Sequence, residues 1–353
     1  EITWRDWSSD VCSSDLDFVV TWVDGEDPAW CAQKAEWLAK VDTEATTDWL
    51  AGDKRYRDWG LLRYWFRGVE ECAPWVRTVH FVTWGHLPEW LDTTNPKLHV
   101  VRHEDYIPKR YLPTFNSHTI EFNMHRIPGL GEQFVYFNDD MYLLKKVHEK
   151  DFFKEGLPRD FAGLNLGTLG RRVTSYEPFN AMVINEHFDK NEVIQADRLK
   201  WLNPLYGLKV LCKTLLLMPF SHFSAMQTDH LPISFLKSTF EKVWSVEGEI
   251  LDMSCLDKFR SEIAVSPWLM RDWQRAEGKF VPRRVHLDGF LDCGNGPGLV
   301  GVDTVKKCIA GKIGGAMICL NDAQLGKDEF EDWSADLMRA FSLRFPKKSG
   351  FEK

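Results

Sequence analysis

Short, almost wholly apolar segments that alternate with amphipathic ones predict an α/β chain. The expected architecture is a Rossmann-like, mainly parallel sheet with a helical insertion or subdomain. Three observations carry this. Phe18 to Val23 (FVVTWV) is short, β-rich and almost wholly apolar, as a buried parallel strand is, and further strands are read at Val79 to Trp84, Leu98 to Arg102 and Phe134 to Phe137. Helical periodicity lies between them. From about Asn191 to Gly278 the pattern is mostly helical.

The elements follow in order. The first strand ends in Asp24-Gly25-Glu26-Asp27-Pro28, a turn and helix-start signal, so a helix is expected over Ala29 to Lys40. A second helix is expected from Trp59 to Glu71, with Leu62, Trp65, Phe66 and Val69 on one face and Pro74 as its stop. Two strands and a helix from Ser117 to Arg126 follow. Then FVYF runs straight into Asn138-Asp139-Asp140. A last strand, Ala316 to Leu320, leads into Asn321-Asp322, and a helix over Asp328 to Arg344 closes the chain. The expected division is a Rossmann-like part over 17–150, a variable and largely helical part over 151–300, and a closing strand and helix over 301–353. Residues 1–16 are set aside. Back-translated, Asp6 to Leu16 (DWSSDVCSSDL) reproduces a widely used sequencing-library adaptor, so this segment and its Cys12 are read as a translated artefact.

Composition narrows the function classes. In 353 residues, 44% are hydrophobic and 27% charged, the balance of a soluble globular protein. A net charge of -8 argues against a nucleic-acid partner. The eight cysteines show no C-x-x-C pair, which suits free thiols in a reducing cytoplasm. No apolar run approaches the ~18 residues of a membrane span. Peripheral association with the inner face of the membrane is compatible with this, although no residue of the sequence specifies it. The sixteen tryptophans suit sugar stacking and core packing alike.

Open α/β sheets bind ligands at the carboxyl ends of their strands. Three strands here end in acids: Asp24, then Asp139 with Asp140, and Asp322. If these strands are neighbours, their carboxylates converge, and like charges so close need a cation between them. Mg²⁺ or Mn²⁺ held by Asp139, Asp140 and Asp322 is the expectation. The competing reading makes each acid a helix cap or turn former.

The run DFVVTWVDGEDPAW resembles the opening block of the Stealth family. A longer block reads RYRDWGLLRYWFRGVEECAPWVRTVHFVTWGHLPEWL, then NPKLHVVRHEDYIP and LPTFNSHTIEFNMHRIPGLGEQFVYFNDDMYL. DHLPISF with KFRSE, and MICLNDAQ with RFPKKSGFE, extend the resemblance over nearly all of 17–352. Departures occur at Trp65, Phe66, Gly68, Trp84 and Ala323, which bear on substrate more than on reaction type.

The resemblance implies a transferase that moves hexose-1-phosphate, N-acetylhexosamine-1-phosphate in the first instance, from a UDP-sugar donor to the hydroxyl of a glycan or capsular polysaccharide acceptor, releasing UMP. It also implies catalytic roles for Glu121, Asp140, His230 and Arg260. Histidine, with a reference pKa of about 6.5, can deprotonate a sugar hydroxyl at neutral pH. Arginine offers a permanent, planar, bidentate donor to phosphate. Glu121 is expected to bind a sugar hydroxyl or orient the base. Around the donor, Asn116 and Ser117 open a helix whose free N–H groups suit a phosphate. Arg63 and Arg67, four residues apart, share a face that either meets the pyrophosphate or is solvated. Asp24 and Gly25 open the loop where a nucleotide lies in sheets of this class. Two alternatives remain: a metal-dependent glycosyltransferase that releases UDP, and a non-catalytic carbohydrate-binding protein.

Overall fold

The computed structural model describes residues 15–40, 52–167, 176–261, 264–285, 289–295, 297–322 and 325–353. Its centre is a five-stranded sheet. Strands β1 (Asp17–Thr21), β2 (Val79–Thr83), β3 (Leu98–Arg102) and β4 (Gln133–Phe137) are parallel, and β6 (Ile233–Leu236) closes one edge antiparallel to β4, in the order β6-β4-β1-β2-β3. The expected Rossmann-like α/β class is the observed one. Of residues 1–16 only Asp15 and Leu16 are described; Leu16 is buried, and its carbonyl accepts from the Arg77 amide at 3.0 Å.

Side-chain alternation along the strands divides the interior into two cores. Phe18 and Val20 of β1, with Val135 and Phe137 of β4, face one core; Val19, Phe134 and Tyr136 face the other. The first core is filled by α2 (Leu62–Cys72), whose Leu62, Trp65, Phe66 and Val69 are buried, and by α7 (Lys327–Arg344) through Trp333, Leu337 and Phe341. The departures at Trp65 and Phe66 are therefore core residues. Gly68 is required there because a Cβ would stand 2.9 Å from the Leu143 carbonyl oxygen.

The second core receives α3 (Ser117–Phe122), α4 (Tyr176–His187), α5 (Gly207–Leu217) and α6 (Trp268–Ala276). The helix expected to reach Arg126 ends at Phe122, and a 3₁₀ turn over Met124–Arg126 continues it. Helix α1 (Pro28–Leu38) starts as expected, with the Asp27 carboxylate accepting from the Trp30 amide at 2.8 Å.

The last strand differs from the simplest expectation. β8 (Met317–Asn321) is not a neighbour of β1 and β4 in the parallel sheet. It pairs with β7 (Phe290–Asp292) and, antiparallel, with β5 (Met141–Leu143). β5 leaves the main sheet immediately after Asn138-Asp139-Asp140, so this turn carries β8 back to the same edge: the Leu320 amide donates to the Asp140 carbonyl at 2.9 Å. Among the described residues, no helix is long and apolar enough to cross a membrane.

Candidate active site

A cleft of about 930 Å³ opens at the carboxyl edge of the parallel strands. Its walls include Glu121, Asp139, Asp140, His230 and Arg260, brought together from four separate stretches of chain. Ser117 and Asp322 also line it.

His230 comes from the segment that turns into β6. Its ring lies parallel to the Trp268 indole, 16° apart in plane with centroids 5.7 Å apart, and meets Phe290 edge-on. The Asn138 Nδ2 lies 3.3 Å from His230 Nε2. With the amide nitrogen donating, the imidazole lone pair is on Nε2. Burial holds this imidazole below its ordinary pKa, against the opposing pull of Asp140. The residue before it is locked: Arg271 and Arg283 donate to the Asp229 carboxylate at 2.6 and 2.8 Å. Arg271 also engages the buried Asp160 through Nε at 2.7 Å.

Arg260 donates to Ser117 Oγ at 2.5 Å. Ser117 and Tyr136 in turn hydrogen-bond the Glu121 carboxylate, and the Tyr136 hydroxyl meets Thr21 Oγ1 at 3.2 Å. Burial nevertheless raises Glu121 to about 7, against the Arg260 charge and these bonds. Neutral and ionised forms thus coexist at physiological pH, so Glu121 can act as donor or acceptor.

A second guanidinium faces this group. Arg55 stands on the 3₁₀ turn Asp53–Tyr56 and is brought down to about 10 by burial and by repulsion from Arg260. It stays charged at pH 7. Burial, with Arg260 and Arg55, drives His118 far below its ordinary value, so it is neutral. Two cations held together in a part-buried cleft are a receptor for a polyanion. The turn bearing Arg55 is seated on an aromatic cluster, with Tyr56 and Phe115 packed edge-on to Trp30 at 5.0 and 5.6 Å.

The acids Asp58, Asp139 and Asp140 line the same cleft. Asp139 is pushed well above the usual carboxylate range by burial and by its neighbours Asp140 and Asp58. Burial also raises Asp140, although His230 and the Cys319 thiol favour its ionised form. One Asp140 oxygen is buried without a hydrogen-bond partner. Hard carboxylate oxygens crowded in this way fit a divalent cation. Asp140, His230 and Cys319 also approach one another within 4.8 Å, and the Cys319 thiol, held far above its ordinary pKa by burial and by Asp140, hydrogen-bonds the Asp140 carboxylate.

Several expected contacts lie elsewhere. Arg67 donates bidentately to Glu352, at 2.7 and 2.8 Å, and to the Phe345 carbonyl, while Arg63 pairs with the same Glu352 at 3.5 Å. Their shared face meets the chain terminus, not the cleft. Asp322 lines the cleft but carries its own cation, Arg57, so the crowded acidic set is Asp58, Asp139 and Asp140. Asn116 acts behind the wall. It caps α3 by accepting from the His118 amide at 3.1 Å and donates to the Asp257 carbonyl at 3.3 Å, tying down the segment that bears Arg260. Asp24 and Gly25 are outside the lining. Asp24 turns the chain through its bond from the Glu26 amide, and Gly25 supports the Arg55 turn, because a Cβ would lie 2.1 Å from the Tyr56 carbonyl oxygen. Sequence reasoning missed Arg55, Arg57 and Asp58. They stand in the RYRDW run, where no helical spacing singled them out.

Residues 14–42 match the model "Stealth protein CR1, conserved region 1", and residues 55–160 match "Stealth protein CR2, conserved region 2". The "Capsular polysaccharide phosphotransferase WcwK" of Streptococcus pneumoniae is 38% identical over 341 residues, which is 96% of this chain and 98% of the relative. The chain belongs to the Stealth family. Other Stealth relatives are similar throughout. The "Receptor polysaccharide phosphotransferase WefC" of Streptococcus oralis is 39% identical over 339 residues (96% of this chain, 99% of the relative). The "Exopolysaccharide phosphotransferase cps2G" of Lactiplantibacillus plantarum is 37% identical over 342 residues, 96% of both chains. The second conserved region spans Glu121, Asp139 and Asp140 and also Arg55, so the site residues that the sequence left unnoticed fall in the same Stealth block. A solved structure titled "WbbM bifunctional glycosytransferase apo structure" aligns with TM-score 0.36 and 10% identity over 96% of this chain and 53% of that one, too slight a likeness to build on.

Proposed function

We propose that this chain is a phosphotransferase of bacterial capsule or exopolysaccharide synthesis that moves a hexose-1-phosphate, such as N-acetylhexosamine-1-phosphate, from a UDP-sugar to a sugar hydroxyl. The phosphotransferase part of this reading is supported by relatives of that name along the whole chain. The finer part rests on one observation: a neutral imidazole, His230, shares a cleft with two guanidiniums, Arg55 and Arg260.

Phosphoryl transfer demands little covalent chemistry from a protein, so catalysis is positioning and charge compensation. The acceptor hydroxyl attacks the sugar-bearing β-phosphorus. The bond from that phosphorus to the oxygen bridging the two phosphates breaks, and UMP leaves. His230 Nε2 accepts the hydroxyl proton, the acceptor hydroxyl taking the place of the Asn138 amide on that lone pair. Arg260, braced by Ser117, and Arg55 bind the pyrophosphate oxygens. Glu121 receives a sugar hydroxyl, and the Trp268 face beside His230 offers a stacking surface for a sugar ring. Asp139 and Asp140 would hold Mg²⁺ or Mn²⁺, which when bound supplies further positive charge against the phosphates.

The test uses UDP-N-acetylglucosamine labelled in its β-phosphate, with Mg²⁺ and a glycan acceptor. The label should appear in the glycan product. Label retained in a nucleotide while the sugar moves would overturn the reading.

A further inference from the structure

A helix that is apolar on both sides needs cover on both. Helix α5 buries Val210 and Thr214 in the second core, and its opposite side is also apolar. Leu208, Leu215 and Leu216 are 77%, 53% and 75% exposed, and Cys212 is exposed between them. The spacing i, i+4, i+7, i+8 places all four on one stripe. Past the helix, Phe220 (63% exposed) and Leu166 border a groove of about 340 Å³ that also includes Leu217 and Phe223. Lys213 bonds the Asn165 side chain beside this groove. Leu199 and Leu205, just upstream, are exposed as well.

Charge identifies the occupant. Between Asp197 and Asp229 there is no aspartate or glutamate, whereas Arg198, Lys200, Lys209 and Lys213 all fall there, in a chain whose net charge is -8; Lys200 is taken up by Asp197 at 3.3 Å, and Arg198 and Lys209 are exposed. Exposed leucines bordered by cations, on an otherwise acidic protein, match the boundary of an anionic bilayer: apolar side chains enter below the headgroups and cations meet the phosphates. A second copy of the chain matches it poorly, because a two-fold contact sets this patch against itself and offers no carboxylate from the same stretch to pair with the lysines.

We infer that the exposed face of α5, with Phe220 and Leu166, docks this protein on the surface of an anionic lipid membrane. The face is separate from the catalytic residues and independent of the proposed reaction. The chain continues from it through Ala225–Met226 to Asp229 and His230, so docking holds the cleft at a fixed place relative to the bilayer.

The full chain is sedimented with vesicles of phosphatidylcholine alone and of phosphatidylcholine with phosphatidylglycerol. Binding is expected to the anionic vesicles only, weakening at high salt. The triple variant Leu208→Glu, Leu215→Glu, Leu216→Glu should lower it at least about tenfold, and Lys209→Glu alone by a smaller factor. All these side chains are exposed, so the melting temperature should be unchanged. The single variant Leu216→Glu gives the same direction should the triple variant fold poorly. Absence of binding to anionic vesicles, or binding that none of the variants weakens, overturns the inference. So does a self-associated species that the leucine variants convert to monomer in the absence of any lipid binding, since the stripe is then a contact between copies.

Discussion

The Arg271 guanidinium donates both to the main-chain carbonyl of Asp229, at 3.1 Å, and to its carboxylate, at 2.6 Å. Asp229 immediately precedes His230, so one buried arginine fixes the backbone that delivers the proposed base. Burial alone would raise the Asp229 carboxyl, but Arg283 and Arg271 hold it below its usual range. Arg271→Lys keeps the charge and loses the planar fork. Breaking a buried network of this kind costs about 3 kcal/mol. The account expects that loss in denaturant unfolding, together with a fall in kcat larger than any change in donor KM.

Glu121 gives a pH signature in stability. Its carboxyl is raised to about 7 in the folded protein from an ordinary value of 4.5. The folded state therefore retains a proton that the unfolded state has lost, and this group's contribution falls as pH rises from about 4.5 through 7. Asp272, also raised to about 7, acts in the same direction. The difference between wild type and Glu121→Gln isolates the first group. The variant should gain stability relative to wild type between pH 5 and pH 8, by at most roughly 3 kcal/mol. An equal difference at both pH values in thermal unfolding would contradict the assignment.

The crowded carboxylates predict a metal-linked stability change. Asp139→Asn removes an ionisable carboxyl that burial, Asp140 and Asp58 all disfavour in its charged form. Without divalent cation the variant should melt several degrees above wild type; with Mg²⁺ or Mn²⁺ added, wild type should rise and the variant should not. Calorimetry with and without chelator reads this apart from activity.

Gly25 predicts a defect carried through the backbone. An added Cβ would meet the Tyr56 carbonyl oxygen at 2.1 Å, so Gly25→Ala must displace the turn that presents Arg55. A cost of about 1–3 kcal/mol follows from overpacking. Donor KM should rise, as binding isotherms for a UDP-sugar would show, while Arg63→Ala, on the face that meets Glu352, should leave donor binding unchanged.

Much of the fold was legible because strand and helix periods are local. FVVTWV and FVYF alternate between two cores and read as buried strands, LHVVR reads as a strand and forms the half-buried edge of the sheet, and the Leu62, Trp65, Phe66, Val69 stripe reads as a helix face. The pairing of β8 with β5 was not legible, since it depends on the chain leaving the main sheet at Asn138-Asp139-Asp140. At the site, the family motifs led to Glu121, Asp140, His230 and Arg260, which the fold brings to one cleft. Periodicity misled for Arg63 and Arg67: four-residue spacing says that two side chains share a face but not what that face meets, and here it is Glu352. Arg55 escaped for the converse reason. It lies on a short turn with no period, and its role arises from Arg260, distant in sequence.

The central claim is best tested by identifying the nucleotide released. The chain is incubated with UDP-N-acetylglucosamine, Mg²⁺ and a glycan acceptor, beside His230→Ala, and the nucleotides are separated by chromatography. The account predicts acceptor-dependent UMP from wild type and its loss in the variant. UDP as the product, or UMP formed equally well without His230, would contradict it.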